Sequence, residues 1–227
     1  MKGTLRISTV RGISVFMHWT LLVFFAWLFG MTLWRGGSLT TAFGGLALVG
    51  SVFGCVALHE LGHALTAKRF GITTRDITLY PFGGIARLQS AQMKPAEEMW
   101  VALAGPAVNV AIAIALYVLS GVTGYSVSAA GFLQPGGFLS TLMWLNVSLA
   151  AFNMIPAFPM DGGRVLRAGL ASRMRYDAAT QVAGFVGTMI AAGFFLFGIF
   201  TLNPVLAFIG VFVFFGALHE AQAVTGR

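Results

Sequence analysis

The sequence predicts an all-α polytopic membrane protein with six transmembrane helices and a small membrane-associated β-sheet. Of its 227 residues, 57% are hydrophobic and only 9% are charged, which is far less charge than soluble domains carry. Long apolar runs recur along the whole chain, and the basic residues gather in alternate segments between those runs. Alternation of this kind reports the sidedness of membrane segments. We expect residues 1–227 to form a single domain.

A helix needs about 20 predominantly apolar residues to cross a bilayer, and the apolar runs of this chain are about that long or longer. The runs predict spans at about residues 13–34, 39–70, 99–119, 138–156, 178–200 and 205–222. Arg35-Gly36-Gly37 and Asn203-Pro204 provide turns between neighbouring spans, and the glycine- and serine-rich residues 120–137 predict a longer loop. An amphipathic connector with four arginines follows the fourth span.

Two stretches outside these spans have the composition of β-strands. Residues 3–11 alternate loosely between apolar and polar side chains. Residues 76–90 carry β-branched and aromatic residues on each side of Phe82-Gly83-Gly84, which is typical of a hairpin. Because an isolated hairpin is marginally stable, we expect it to pair with residues 3–11. A plain connecting loop is the alternative for this region.

An exposed edge of such a sheet would accept an extended peptide by strand addition. Phe82, Gly83 and Gly84 are therefore candidate substrate-binding residues. A small sheet near the membrane surface would also be well placed to receive a chain that leaves the bilayer.

The distribution of basic residues predicts the topology. Basic side chains precede the first span and lie between spans two and three and between spans four and five, whereas the other connections hold only Arg35. The positive-inside rule then places both termini in the cytoplasm of a multi-pass cell-membrane protein. The formal net charge of +7 reflects this topology. The sequence has neither a basic helix nor a platform of aromatic and basic residues, so it does not predict nucleic-acid binding. The predicted surroundings of the chain are the lipid bilayer.

The second span carries His59-Glu60-Leu61-Gly62-His63, an H-E-x-x-H motif. Residues i and i+4 share one face of a helix, so His59 and His63 can offer two imidazoles to one metal ion. Two imidazoles suit zinc better than calcium or magnesium, and Glu60 can take a proton from water at the metal. The alternative is an ordinary polar helix face. The uncharged run at residues 39–58 argues against it, because ionisable groups inside a membrane are costly and usually functional.

A second group of polar residues lies at the end of the fourth span. Asn146 and Asn153 are seven residues apart and so share roughly one helix face. The following segment, Ile155-Pro156-Ala157-Phe158-Pro159-Met160-Asp161-Gly162-Gly163, breaks the helix. Broken backbone at membrane depth is tolerated where it is buried or lines a cavity. Asp161 is therefore the natural third ligand for one Zn²⁺ per chain, and Asn146 and Asn153 are candidate substrate-binding residues.

Together, these motifs resemble the site-2 protease family of intramembrane zinc metalloproteases. The resemblance is carried by the H-E-x-x-H motif, by Asn153-x-x-Pro156-x-x-Pro159-x-Asp161-Gly162 and by Gly105-Pro106-x-x-Asn109. It implies that His59, His63 and Asp161 bind zinc and that Glu60 is the catalytic acid and base. It also implies that Asn153 lies near the scissile peptide or its oxyanion. Many members carry an added PDZ or CBS domain, whereas this sequence predicts the compact form without one.

The expected activity is hydrolysis of a peptide bond in or near the transmembrane segment of a membrane-protein substrate, as in regulated intramembrane proteolysis. Candidate substrates include an anti-sigma factor or another membrane-tethered regulator. One alternative, a CAAX-processing or heat-shock type of membrane protease, needs a downstream glutamate or histidine ligand in place of Asp161. The other alternative is an ion- or proton-coupled transporter that uses the same His/Glu/Asp cluster. Such a transporter would show internal repeats, which the sequence lacks.

Overall fold

The computed structural model describes residues 3–88, 93–122 and 137–225. The elements in order are β1 (Thr4–Val10), β2 (Ile13–His18), α1 (Trp19–Trp34), α2 (Leu39–Arg69), β3 (Thr74–Tyr80), β4 (Gly83–Leu88), α3 (Pro95–Val122), α4 (Phe138–Asn153), α5 (Asp161–Ala171), α6 (Tyr176–Phe200) and α7 (Pro204–Thr225). The last two residues of the predicted hairpin, 89–90, and most of the predicted loop, 123–136, lie outside the described residues.

The chain divides into two compact units. The first consists of Met1–Ala91 and Ala107–Leu149, and the second of Gln92–Pro106 and Ala150–Arg227. Two of the three boundaries fall inside helices, one directly after Pro106 in α3 and the other after Leu149 in α4. That residues 1–227 act as a single domain stays a prediction.

A four-stranded sheet in the order β1-β2-β3-β4 belongs to the first unit. The outer pairs are antiparallel and the central pair, β2 with β3, is parallel. Parallel neighbours need a long crossover, which α1 and α2 provide. Ile13, Val15 and Ile77 of the two central strands pack with Leu61 and Ala64 of α2. The sheet therefore lies directly on the helix that carries the H-E-x-x-H motif.

β2 corrects two expectations from the sequence. Residues 13–18 were assigned to the first span but form a strand, and α1 begins only at Trp19. Only Ser14 and His18 of the six strand residues are polar, so the strand continues the hydrophobic run of the helix and hides the boundary. The prediction that residues 3–11 pair with the hairpin is also wrong, because β2 lies between β1 and β3. A two-residue turn at Arg11 and Gly12, both with positive φ, joins β1 to β2.

Most of the remaining helix boundaries agree with the predicted apolar runs to within a few residues. Ser38 caps α2, because its side-chain oxygen accepts a hydrogen bond from the Thr41 backbone N–H at 3.1 Å. Lys68 and Arg69 lie in the last turn of α2, where positive charge favours a helix C-terminus. α5 forms where the sequence predicted an amphipathic connector.

Among the described residues, α2, α3 and α6 are long and apolar enough to cross a membrane. α1, α4 and residues Pro204–Glu220 of α7 are shorter apolar helices. Large apolar side chains are exposed along several of these helices, as at Trp27, Ile114, Phe185 and Phe208. Such surfaces are expected where helices face lipid rather than water. The fold is thus mostly helical, with three candidate spans and a small sheet.

In the second unit, α6 packs against both α5 and α7. Small residues permit the close approach of α6 and α7: a Cβ atom added to Gly210 would lie only 2.6 Å from the Phe195 backbone nitrogen. Ala157 and Met160, from the segment before α5, join Ala191 and Val213 in a buried cluster. The broken segment after α4 is therefore part of the core of this unit.

Candidate functional site

His59 and His63 lie one turn apart on α2, and each is 4% exposed. Their Nε2 atoms converge to 3.0 Å, with the rings at 81° to each other. Two imidazoles bound to zinc at 2.0–2.1 Å in tetrahedral geometry would have their nitrogens about 3.3 Å apart. The paired imidazoles therefore fit a zinc ion with only a small adjustment.

The second ring nitrogen of His59 belongs to a buried hydrogen-bond chain. His59 Nδ1 lies 2.5 Å from Asn109 Oδ1, and Asn109 Nδ2 donates to Asn146 Oδ1 at 2.9 Å. Asn146 Nδ2 in turn donates to the Leu142 carbonyl at 2.9 Å and contacts Cys55 Sγ at 3.4 Å. The chain connects α2, α3 and α4 within the first unit.

Glu60 follows His59 on α2 and is partly buried beside β4. A Cβ atom on Gly84 would lie 2.7 Å from Glu60 Cγ and 3.3 Å from Val56 Cγ1. Ordinary carbon contacts are about 3.5–4.0 Å, so only glycine lets the β4 backbone approach this carboxylate. β4 is an edge strand of the sheet. The predicted acid/base residue thus lies next to an open strand edge.

The other two residues predicted to bind substrate from this region are Phe82, in the turn before β4, and Gly83, the first residue of β4. Phe82 is 76% exposed and stacks on Tyr80 with ring centroids 5.3 Å apart. Gly83 has a φ of 139°, which L side chains rarely adopt. An exposed aromatic side chain thus lies beside the edge strand that approaches Glu60.

Asp161 opens α5 in the second unit and is buried. The sequence correctly placed a helix break here, because α4 ends at Asn153 and α5 starts at Asp161. Added Cβ atoms on Gly162 and Gly163 would collide with backbone atoms of residues 154–158. The two glycines therefore let the first turn of α5 pack closely on the broken segment, which fixes the position of Asp161 within this unit. Arg164 Nη1 lies 3.9 Å from Asp161 Oδ1.

The other two residues predicted to bind substrate, Asn153 and Asn146, lie in different surroundings. Asn153 is partly buried at the C-terminus of α4, and its contact with substrate stays a prediction. Asn146 is 1% exposed and uses its amide in the hydrogen-bond chain to His59. Sequence reasoning noted Asn109 only as part of a family motif and missed its bond to His59. An asparagine within a long apolar helix was the available signal.

A buried ionic cluster in the second unit was also missed. Arg167 of α5 donates to Glu98 of α3, with Nε 3.0 Å from Oε1, and also to Glu220 of α7. Its guanidinium lies over Phe158 at 5.0 Å and Tyr176 at 5.1 Å. Burial lowers the pKa of Arg167, but the charge and hydrogen bonds of Glu98 outweigh burial and raise the pKa above its ordinary value. The cluster joins three helices.

Comparison with known proteins gives consistent matches. The sequence model of peptidase family M50 matches residues 47–132 and 120–197. Zinc metalloprotease MJ0392 of Methanocaldococcus jannaschii is 34% identical over 99% of this chain and 62% of its own length. Putative zinc metalloprotease Rip3 of Mycobacterium tuberculosis is 32% identical over 99% of this chain and 60% of its own. The chain thus spans about 60% of the length of these curated relatives.

A solved structure also matches. The site-2 protease from Methanocaldococcus jannaschii superimposes with a TM-score of 0.67 at 33% sequence identity. The match covers 96% of this chain and 95% of that one. The fold and the sequence motifs therefore lead to the same group of proteins.

Proposed function

Because this chain belongs to peptidase family M50, the site-2 protease family, we propose that it is an intramembrane zinc endopeptidase. It cleaves a peptide bond in or near the transmembrane segment of a membrane-protein substrate. The observation that carries the proposal is the buried His59–His63 pair, whose Nε2 atoms converge beside Glu60. The matched proteins give no support to the transporter alternative.

One zinc ion per chain is bound by His59, His63 and Asp161. Two neutral imidazoles and one carboxylate are a common catalytic zinc set, which leaves a fourth position open. Support for Asp161 comes from its burial and from the glycine pair that fixes the start of α5. When bound, zinc polarises a peptide carbonyl and makes water more acidic.

Glu60 and Asn153 have separate roles in the proposed hydrolysis. Glu60 accepts a proton from the attacking water at its carboxylate and delivers it to the leaving amine. The Asn153 amide donates a hydrogen bond to the oxygen on which negative charge develops during attack. Val56 and Gly84 enclose the Glu60 stem from one side, which limits the positions that the carboxylate can take.

The substrate lies extended along the β4 edge, next to Phe82, Gly83 and Gly84. A peptide bond inside a helix is closed to attack, so the substrate must unwind. β3 is paired on both sides. In the part of the chain that the structure describes, β4 pairs with β3 alone, so its outer backbone groups can bind a substrate of varied sequence. The sequence predicted strand addition at an exposed edge of the sheet, and we assign that edge to β4.

The membrane arrangement belongs to the proposal as well. α1, α4 and α7 join the three longer helices to make six spans, with both termini in the cytoplasm, as the basic residues predict. A membrane-tethered regulator, such as an anti-sigma factor, is the proposed kind of substrate. Hydrolysis then takes place towards the cytoplasmic face, where water is accessible.

Zinc content tests the ligand set. Purified wild-type protein is expected to hold about one zinc per chain, and His59→Ala, His63→Ala and Asp161→Ala are each expected to lose most of it, because three ligands are needed. Zinc is measured by mass spectrometry, and cleavage of a single-span substrate is followed with and without a chelator. His219→Gln is the matched control and should keep its zinc. Full zinc content in Asp161→Ala would refute the third ligand.

Gly84→Ala tests the approach of β4 to Glu60. The new methyl group would lie 2.7 Å from Glu60 Cγ and must displace either the carboxylate or the strand. A displacement of this kind is expected to slow cleavage on the order of 10- to 100-fold, with zinc content unchanged. Gly54→Ala is the control on α2, the helix that carries Glu60, because a Cβ there meets nothing within 4 Å. Equal rates for both variants would contradict the proposed arrangement.

A further inference from the structure

We propose that Asn109 and Asn146 are positioning residues that hold His59 in the one tautomer able to bind a metal through Nε2. Its consequence for metal binding rests on the proposed zinc site. The tautomer itself is a property of the chain and exists without the metal.

The direction of the hydrogen-bond chain follows from its far end. The Leu142 carbonyl can only accept, so the Asn146 group 2.9 Å from it is the NH₂ group. The carbonyl oxygen of the Asn146 amide then faces Asn109 and accepts from the Asn109 NH₂ group at 2.9 Å. This bond turns the Asn109 oxygen, Oδ1, toward His59 Nδ1.

An amide oxygen has no proton to give, so His59 Nδ1 must be the donor. A neutral imidazole with its proton on Nδ1 carries its lone pair on Nε2. Nε2 is the atom that converges on His63 Nε2 at 3.0 Å. A backbone carbonyl on α4 thus determines, through two asparagine side chains, which nitrogen of His59 can bind a metal.

Burial explains why the two asparagine amides keep these orientations. Asn109 is 0% exposed and Asn146 is 1% exposed, and a buried amide without partners is costly. If Asn109 were flipped, its oxygen would face Asn146 Oδ1, whose position is fixed by the bond from Asn146 Nδ2 to the Leu142 carbonyl. Two acceptors would then face each other in a buried site, which disfavours the flipped orientation whichever tautomer His59 adopts. The sequence predicted that Asn146 contacts substrate, whereas its hydrogen bonds favour this positioning role.

Three variants at these two positions separate positioning from packing. Asn109→Leu keeps the shape but removes the acceptor, and is expected to raise the zinc Kd about 10- to 100-fold. Asn109→Asp keeps an oxygen acceptor for His59 Nδ1, and its protonated form also donates to Asn146 Oδ1 in place of the amide. The zinc Kd should therefore stay within about threefold of wild type, and this rescue excludes a mere packing effect. Asn146→Leu removes the acceptor that orients the Asn109 amide, so its zinc Kd should lie between those of Asn109→Asp and Asn109→Leu. Zinc Kd values are measured by chelator competition.

Ser120→Ala is the matched control, since it removes another buried polar group from α3 whose hydroxyl donates to the Tyr117 carbonyl. Its zinc Kd should equal that of the wild type. An Asn109→Leu protein with wild-type zinc Kd, or an Asn109→Asp protein as weak as Asn109→Leu, would overturn the proposal.

The second readout uses zinc-free protein with ¹⁵N-labelled histidine at about pH 8, where an ordinary imidazole is neutral. NMR shifts of the two ring nitrogens identify the tautomer, and a His59→Gln spectrum assigns the signals. Wild type and Asn109→Asp are expected to show His59 protonated at Nδ1, and Asn109→Leu is expected to lose this preference. If the wild type bound no zinc, the proposed function would fail while this spectrum would still decide the positioning role. Unchanged His59 signals in Asn109→Leu would refute it.

Discussion

Glu60→Gln is expected to abolish cleavage while the fold and the zinc content stay unchanged. The amide has the same shape as the carboxylate but cannot take a proton from water. General acid–base catalysis contributes about 10²- to 10⁴-fold, so kcat should fall at least about 100-fold. Zinc should remain, because the proposed ligands are His59, His63 and Asp161, and Glu60 is not among them.

The surroundings of Glu60 allow glutamine to replace it without a change of shape. Its side chain lies against Val56 and the Gly84 backbone, and glutamine fits the same space. Glu97→Gln is the matched control, because Glu97 accepts a hydrogen bond from the Lys94 backbone N–H at the start of α3, and glutamine keeps an oxygen that can accept it. Its rate should equal that of the wild type. Cleavage by Glu60→Gln at a comparable rate would refute the acid/base role, and loss of zinc would show that Glu60 is a ligand.

Features encoded by local sequence were predicted well. The H-E-x-x-H spacing needs only a helix to bring two imidazoles together, and apolar runs of sufficient length set most helix boundaries. Two prolines and two glycines predicted the break before Asp161 for the same reason, since their backbone preferences act locally. The glycine turn at residues 82–84 likewise predicted the hairpin.

Features that depend on distant partners were not predictable. The bond from His59 to Asn109 joins residues fifty apart, and Arg167 meets Glu98 across sixty-nine. Nothing in either neighbourhood specifies the partner, because an asparagine or glutamate is compatible with many environments. The error at β2 has another cause. Ile13 and Val15 pack against α2, but Val15-Phe16-Met17 is an apolar run without alternation, so the period of two that marks a strand is masked.

The ionic cluster of the second unit predicts a large effect on stability. Arg167→Leu removes the cation that neutralises Glu98, which is 2% exposed. Breaking a buried ion pair by removing one partner typically costs about 3–5 kcal/mol, because the remaining charge is left uncompensated. The free energy of unfolding in mixed micelles is expected to fall by this amount.

The loss of unfolding free energy in Arg167→Leu should come more from Glu98 than from Glu220, because the Glu220 side chain is 37% exposed and keeps contact with solvent. Combining Arg167→Leu with Glu98→Leu removes both buried charges, and replacing such a pair by apolar residues is often neutral. The double variant should therefore recover most of the lost stability. Arg175→Leu is the control, since the Arg175–Asp177 pair is exposed on both sides and exposed pairs contribute about 0–1 kcal/mol. A double variant as unstable as Arg167→Leu alone would show that the cost comes from lost packing against Phe158 and Tyr176 rather than from the unpaired carboxylate.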